Sequence, residues 1–246
     1  MYLTIRAIVL RVTDYNDRDA LLTVLSKNHG KLTIKARGLR RKNSPLIAPC
    51  QLLAFGEFTL FEYKGQYSIN EAHSIELFSP LRRDLTKLSL GTYFAQAAEV
   101  ISQEDLPNPE LQSLLLNCLF ALSKLNESEA KIKAVFELRS ACLAGYMPDL
   151  FGCHICGNQN PDRFDISEGM LECHTCRGVG GGIRMPVTPG VLEAMRYICL
   201  CEPKKLLSFN IGPENLEKLS NLTEAYLTTQ LERGFSTLDF YKSLLI

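Results

Sequence analysis

The 246-residue chain has no tryptophan, only four histidines and no net charge, because 27 lysines and arginines balance 27 acidic residues. That balance excludes a uniformly basic nucleic-acid coat and a strongly acidic tail protein. No apolar run approaches the roughly 18 residues that a membrane helix needs. The opening MYLTIRAIVLRV lacks a signal-peptide cleavage pattern and alternates like a strand, so a cytoplasmic location is expected. Gly-x-Ser-x-Gly, His-Glu-x-x-His, Walker A and dinucleotide fingerprints are all missing, so no familiar catalytic chemistry is signposted. His29 and His73 stand alone and read as turn or surface residues. Repeats and low-complexity segments are also lacking. With 46% apolar and 22% charged residues, what remains is an ordinary globular composition.

Cysteine is the residue in excess. Of nine, four form CHIC and CHTC, with sixteen residues between the pairs: Cys153, Cys156, Cys173 and Cys176. Each Cys-x-x-Cys turn aims two thiolates at one point, and two such turns close a tetrahedron. One zinc ion is the expected occupant. Four protein ligands leave no position for water or substrate, so the ion is expected to be structural. Gly157 and Gly169 permit the sharp backbone such turns need, and His154 and His174 are read as neighbours of the ligands. The intervening segment carries Asp162, Asp165, Glu168 and Glu172 against Arg163, a poor surface for phosphate. The glycines from Gly178 to Gly182 lack the Lys-Ser/Thr of a phosphate loop and read as a flexible exit from the metal site. Cys50, Cys118, Cys142, Cys199 and Cys201 lie among apolar neighbours; an odd count without framework spacing argues for buried free thiols over disulfides.

Charge is uneven along the chain. Residues 1–80 hold 11 basic and 7 acidic residues, and residues 81–246 hold 16 and 20. No acid occurs between Ala20 and Gly56, while Lys27, Lys31, Lys35, Arg37, Arg40, Arg41 and Lys42 all fall there. KLTIKAR alternates, with Leu32, Ile34 and Ala36 on one face and the cations on the other. Lysines commonly blunt a strand edge. Here Lys31, Lys35 and Arg37 on one strand face, with Arg40, Arg41 and Lys42 on the next loop, make a convergent surface suited to a phosphate backbone. Tyr2, Tyr15, Phe55, Phe58, Phe61, Tyr63 and Tyr67 are read mostly as core.

Five short strands without an intervening helix suggest a small barrel such as an OB-fold over residues 1–80, with QLLAFGEFTLFEYK and QYSINEAHSIELF paired around Lys64-Gly65. Beyond Ser79-Pro80 the period becomes helical. Leu85, Leu88, Thr92 and Ala95 form a stripe. Asn108-Pro109, Ser128, Thr188-Pro189, Pro213 and Ser236-Thr-Leu-Asp239 read as helix starts. The expected class is α+β: an N-terminal OB-fold barrel, then a helical bundle over 81–246 carrying a four-cysteine zinc ribbon at about 150–185 as a loop excursion.

The stretches AIVLRVTDYNDRDALLTVLSKNHGK, KARGLRRKNSP and FELRSACLAGYMPDLFGCHICG leading into ECHTC resemble the RecO family of bacterial recombination mediators. Asn16 departs from that family's usual acidic turn. The resemblance implies binding of single- and double-stranded DNA and annealing of complementary strands. It implies partnership with RecR and single-strand-binding protein, an indirect role in loading RecA, a nucleoid-associated location, and no catalytic activity. The opposing class is a zinc-stabilised nuclease or RNA-modifying enzyme, which would need carboxylates such as Asp14, Asp17 and Asp19 to converge beside the basic face. A zinc-ribbon transcription factor is disfavoured by the acidic linker.

Overall fold

The computed structural model describes residues 1–176 and 182–245; Gly178, Gly180 and Gly181 of the glycine cluster lie outside them. Five strands come first: β1 (Tyr2–Asp14), β2 (Ala20–Ser26), β3 (Gly30–Ala36), β4 (Phe55–Tyr63) and β5 (Gln66–Glu76). They close into a barrel in the order β1-β2-β3-β5-β4, with β3 and β5 parallel. This is an OB-type barrel. Closure depends on β1, whose thirteen residues serve two neighbours. Tyr2 to Ile8 pair with β4, and Ala7 to Asp14 pair with β2 across a bulge between Val9 and Arg11. Alternation puts Ile5, Ala7, Val9, Leu22, Val24, Leu32, Ile34, Phe58 and Leu60 inside. Lys64 and Gly65, both at positive φ, make the two-residue turn joining β4 to β5. Gln51 to Ala54 are not strand. They belong to turns in which Leu53 and Ala54 are buried, and Val9 exchanges backbone hydrogen bonds with both.

Three long helices follow: α1 (Leu85–Ile101), α2 (Pro109–Lys124) and α3 (Glu129–Leu143). Asn108 caps α2 by accepting from the N–H of Leu111. Ser128 makes no side-chain cap to α3. Of the expected stripe only Ala95 is fully buried; Leu88 and Thr92 are half-buried and Leu85 is exposed, whereas Leu90, Tyr93, Phe94, Ala97 and Ala98 are buried as well. The helix is enclosed on several sides, by β1, by α2 and by a short C-terminal helix, so a single stripe does not describe it. Gly91 makes that possible: a Cβ there would lie 3.1 Å from the side chains of both Leu53 and Leu119.

The cysteine region is a small four-stranded sheet, not a loop excursion. Its strands are β6 (Asp149–Cys153), β7 (Arg163–Asp165), β8 (Met170–Glu172) and β9 (Arg184–Pro186), ordered β6-β8-β7-β9. Strands of three residues leave almost no sequence period to detect. The helices α4 (Pro189–Leu200), α5 (Pro213–Gln230) and α6 (Ser236–Ser243) complete the chain. Thr188 caps α4 through the N–H of Val191. Ser236 is already inside α6, so the expected capping box does not form.

Compactness groups these elements into two units, residues 1–125 with 235–246, and residues 126–234. In the first, Phe235 packs edge-on against Tyr93, with centroids 5.4 Å apart, and Thr237 donates to Gln96 at 2.6 Å. In the second, α3 lies against α5 through a buried charge cluster. The Lys133 Nζ is 3.0 Å from Glu137 and 2.8 Å from Glu224. Among the described residues no helix is long and apolar enough to cross a membrane.

Candidate metal centre and nucleic-acid interface

Cys153 ends β6 and Cys173 follows β8, and these two strands are neighbours. Their pairing brings the two Cys-x-x-Cys turns together, so that the Sγ atoms of Cys153, Cys156, Cys173 and Cys176 all lie within 4.8 Å of one another. Cys156 and Cys173 are 4.0 Å apart, and a tetrahedral Zn–S site has edges of about 3.8 Å. Gly157 turns the chain out of the first knuckle at φ 73°. Gly169, at φ 69°, serves the β7–β8 turn, and a Cβ there would meet the Tyr226 hydroxyl at 2.7 Å. The sulfurs are oriented by N–H donors, from the Cys173 backbone to Cys153 Sγ at 3.4 Å and from Asn158 Nδ2 to Cys173 Sγ at 3.2 Å.

Four thiols this close oppose one another's ionisation. Burial works against the Cys153 thiolate, but the backbone N–H groups of Cys156, Ile155 and Cys173 outweigh it and bring its pKa to about 6. Cys176 is pushed up to about 11, first by its hydrogen bond with Cys156 and then by burial. Cys173 is raised by burial. A cluster lacking counter-charge therefore favours the Cys153 thiolate over those of Cys173 and Cys176, and a bound divalent cation supplies the charge that lets its ligands ionise together. The cysteines fit such an ion in number, separation and chemistry.

Neither histidine joins them. His154 Nδ1 lies 3.2 Å from the Leu171 carbonyl. His174 pairs with Asp162 at 2.9 Å, and the Asp162 carboxyl is lowered despite burial because His174 bonds and charges it. The linker acids are less of a surface than their spacing suggests. Asp165 and Glu172 are buried, and Arg184 reaches them at 3.4 and 2.6 Å.

The expected cations separate in space. Lys31 stands at the start of β3, mostly buried, donating to the Glu99 carbonyl at the C-terminal end of α1 and lying 3.9 Å from Glu104. Helix C-termini favour a cation, and this one is engaged there. Lys35 pairs with Asp19 at 3.4 Å, and Arg40 with Asp14 at 3.3 Å. Arg37, Arg41 and Lys42 are exposed and have no acidic partner in the described residues. Arg18, hidden in the sequence among the acids of DYNDRD, joins them from the β1–β2 loop: it is exposed, and its carbonyl accepts from the Arg40 N–H. That loop is shaped by Asn16, whose side-chain oxygen accepts from the N–H groups of Arg18 and Asp19. Asp19 in turn accepts from the Gly38 N–H at 2.8 Å, the main reason its carboxyl lies below the ordinary range.

The aromatics divide differently from expectation. Phe58 is core, but Tyr2, Tyr15, Phe61 and Tyr63 are exposed. Strand register sets Tyr2, Phe61, Ser68 and Lys35 in one row across β1, β4, β5 and β3. The Tyr2 and Phe61 rings are 5.4 Å apart. Lys35 Nζ sits 4.4 Å over the Tyr15 ring. Three strand spacings of about 4.8 Å separate the ends of that row. Phe61, read with the others as mostly core, faces outward beside Tyr2, whose strand starts almost 60 residues earlier in the chain, so this pairing was invisible to local pattern.

Comparison with known proteins agrees along the whole chain. Residues 1–78 match the family model described as "Recombination protein O N terminal", and residues 82–239 match "Recombination protein O C terminal". The DNA repair protein RecO of Acetivibrio thermocellus is 32% identical over 99% of this chain and 97% of its own length. Those of Alkaliphilus metalliredigens and a Thermoanaerobacter species are 28% and 27% identical, covering 99% and 97% of this chain and 100% and 96% of their own lengths.

Proposed function

From the premise that this chain belongs to the RecO family of DNA repair and recombination proteins, we propose that it works by binding alone. Its barrel holds single- and double-stranded DNA, anneals complementary strands and, with RecR and single-strand-binding protein, helps RecA load on coated strands in the bacterial cytoplasm at the nucleoid. One structural zinc is held by Cys153, Cys156, Cys173 and Cys176. The observation that carries the reading is the group Arg18, Arg37, Arg41 and Lys42, exposed at one end of an OB-type barrel without acidic partners among the described residues. Lys35 and Arg40 extend this face and can exchange Asp19 and Asp14 for phosphate. Lys31 stands apart from it.

Such a face grips the backbone, and the Tyr2–Phe61 rings supply flat surfaces for bases. Stacking uses base faces and leaves the pairing edges free. Two strands held this way repel each other less, because protein cations replace screening salt, so pairing accelerates without nucleotide hydrolysis. The nuclease alternative loses ground on geometry. Asp14 and Asp19 point to different cations, Arg40 and Lys35, and among the described residues the four cysteines are the one converging set of metal-ligating side chains.

Arg37, Arg41 and Lys42 changed together to glutamate are expected to weaken binding to both DNA forms and to slow annealing equally with and without ATP. If about five cations contact a single strand, the log–log salt slope is roughly −3.5, and the triple change flattens it by about two. Titration at several salt concentrations and a fluorescence annealing assay read this; unchanged affinity in a folded variant places the DNA surface elsewhere. Tyr2→Ala and Phe61→Ala should act differently. Each is expected to reduce single-strand affinity by about 1–3 kcal/mol while leaving the salt slope and duplex binding as they are. Equal losses on single and double strands would assign these rings a purely structural role.

A further inference from the structure

One pair of thiols plays no part in the metal site or in the barrel. Cys142, in the last turn of α3, and Cys199, in the last turn of α4, have their Sγ atoms 3.7 Å apart. Cys142 is half-buried and Cys199 is nearly enclosed. Cys142 differs from Cys50 and Cys118, whose burial among apolar groups raises their thiols: contact with Cys199 holds the Cys142 thiol below its ordinary range, while Cys199 is raised by the same contact and by burial. The guanidinium of Arg139, one turn before Cys142, donates to the carbonyls of Ile198 and Cys199, fixing a positive charge beside the pair. Cys142, only half-buried, is open to a small oxidant directly, and an apolar cleft of about 280 Å³, lined by Met147, Leu150, Phe151, Arg196 and Leu200, reaches its partner Cys199. Room for a small oxidant, a cation to hold a thiolate and a second thiol in contact are what a reversible redox pair needs.

We propose that Cys142 and Cys199 form a regulatory disulfide when the protein meets a hydroperoxide. The Cys142 thiolate attacks the peroxide, taking one oxygen to become a sulfenic acid and releasing water or an alcohol. The Cys199 thiol then displaces that oxygen as water, and the S–S bond forms. Two thiols have been oxidised by two electrons and the O–O bond has been reduced. The sulfurs must close by about 1.7 Å to reach a bond length of roughly 2.05 Å, a side-chain rotation. A cellular dithiol reverses the step by exchange.

The placement gives the bond its consequence. Residues 142 and 199 bracket β6 to β9, so every metal-ligating cysteine lies on the loop that the disulfide closes. Thiolates on zinc are themselves targets of peroxide. A bond at the base of the sheet tethers the two chain ends leaving it while metal is being lost and regained. Oxidation thus marks the protein reversibly before the metal sheet is harmed.

The test uses full-length, metal-loaded, reduced protein titrated with hydrogen peroxide. Free thiols are blocked by alkylation, and peptides are mapped by mass spectrometry without reductant, while a chromogenic chelator follows metal release. The expected result is a Cys142–Cys199 linked peptide and the loss of two alkylatable thiols per chain at peroxide doses that release no metal, reversed by dithiothreitol. In Cys199→Ser protein, Cys142 should instead be trapped by a sulfenic-acid reagent. Linked peptides confined to the metal-site cysteines, a Cys142–Cys201 linkage, or both thiols remaining free until metal is lost would overturn the proposal. The wild-type map decides this even where the variant fails to fold.

Discussion

Cys173→Ser protein is expected to emerge from purification with little bound metal and with the β6–β9 sheet unfolded, while the barrel still binds DNA. Three of the four strands have three residues each, too short for independent stability. Their apolar interior amounts to little more than Phe164, Ile166 and Leu171. What holds the sheet is the convergence of four thiolates, and structural zinc in comparable small domains carries an apparent binding free energy of about 10–16 kcal/mol that is also folding free energy. Cys173 is the central member. It lies 4.0 Å from Cys156, its backbone N–H donates to Cys153 and its sulfur accepts from Asn158. Serine keeps the size and loses the soft, ionisable ligand. Metal analysis of freshly purified protein and limited proteolysis across residues 149–186 are the measurements. A full equivalent of zinc in the variant, or wild-type protein purified without any, would refute the structural-zinc reading.

Lys133→Met is expected to cost about 3–5 kcal/mol, the penalty for breaking a buried ion pair by removing one partner. Glu137 is 0% exposed, and its ion partner Lys133 also bonds Glu224 and the Ser220 carbonyl, so one ammonium ties α3 to α5. Burial raises the Glu137 carboxyl above its ordinary 4.5 even with Lys133 present, and loss of the ammonium pushes it further. A carboxyl with a raised folded pKa binds more protons in the folded state, so its contribution to stability falls as pH climbs above the unfolded value. The variant's deficit relative to wild type should therefore be smallest at acid pH and grow as pH climbs past the already raised wild-type carboxyl towards neutrality. Urea denaturation at a series of pH values checks this. A deficit that stays constant across that range would mean that Glu137 keeps its charge compensated by other groups. Adding Glu137→Leu should recover most of the loss, since a well-packed apolar pair often equals a buried ion pair.

What could be read from residues alone follows from how local the controlling physics is. The alternation of Leu32, Ile34 and Ala36, the turn at Lys64-Gly65, the caps at Asn108 and Thr188 and the Cys-x-x-Cys spacing each act within a few residues, and each appears in the structure as expected. The cationic face of the barrel was only half legible. The stretch from Ala20 to Gly56 contains no acid, yet pairing of β1, β2 and β3 returns Asp14 and Asp19 to Arg40 and Lys35, and the end of α1 brings Glu104 to Lys31. Neutralisation came from chain segments distant in sequence. Asp165 and Glu172 show the converse, because acids that look solvated in the sequence are turned inward by Arg184. The unformed caps at Ser128 and Ser236 fail for a simpler reason. A motif offers a hydrogen bond, and packing of Phe235 on Tyr93 sets where α6 begins.

That packing also has a bearing on how the protein is made. The first compact unit ends with residues 235–246, which leave the ribosome only after all 109 residues of the second unit have been synthesised. At about 5–20 residues per second, the delay is roughly 5–20 s. Through that interval the surface of α1 that Phe235, Leu238 and Tyr241 will cover has no other part of its own unit to close it. The unit that carries the four-cysteine cluster, by contrast, is contiguous and can complete that cluster as soon as its last helix emerges. Synthesis order and folding order are therefore inverted: the unit made later is free to finish first, and the unit whose strands are made earlier is sealed last.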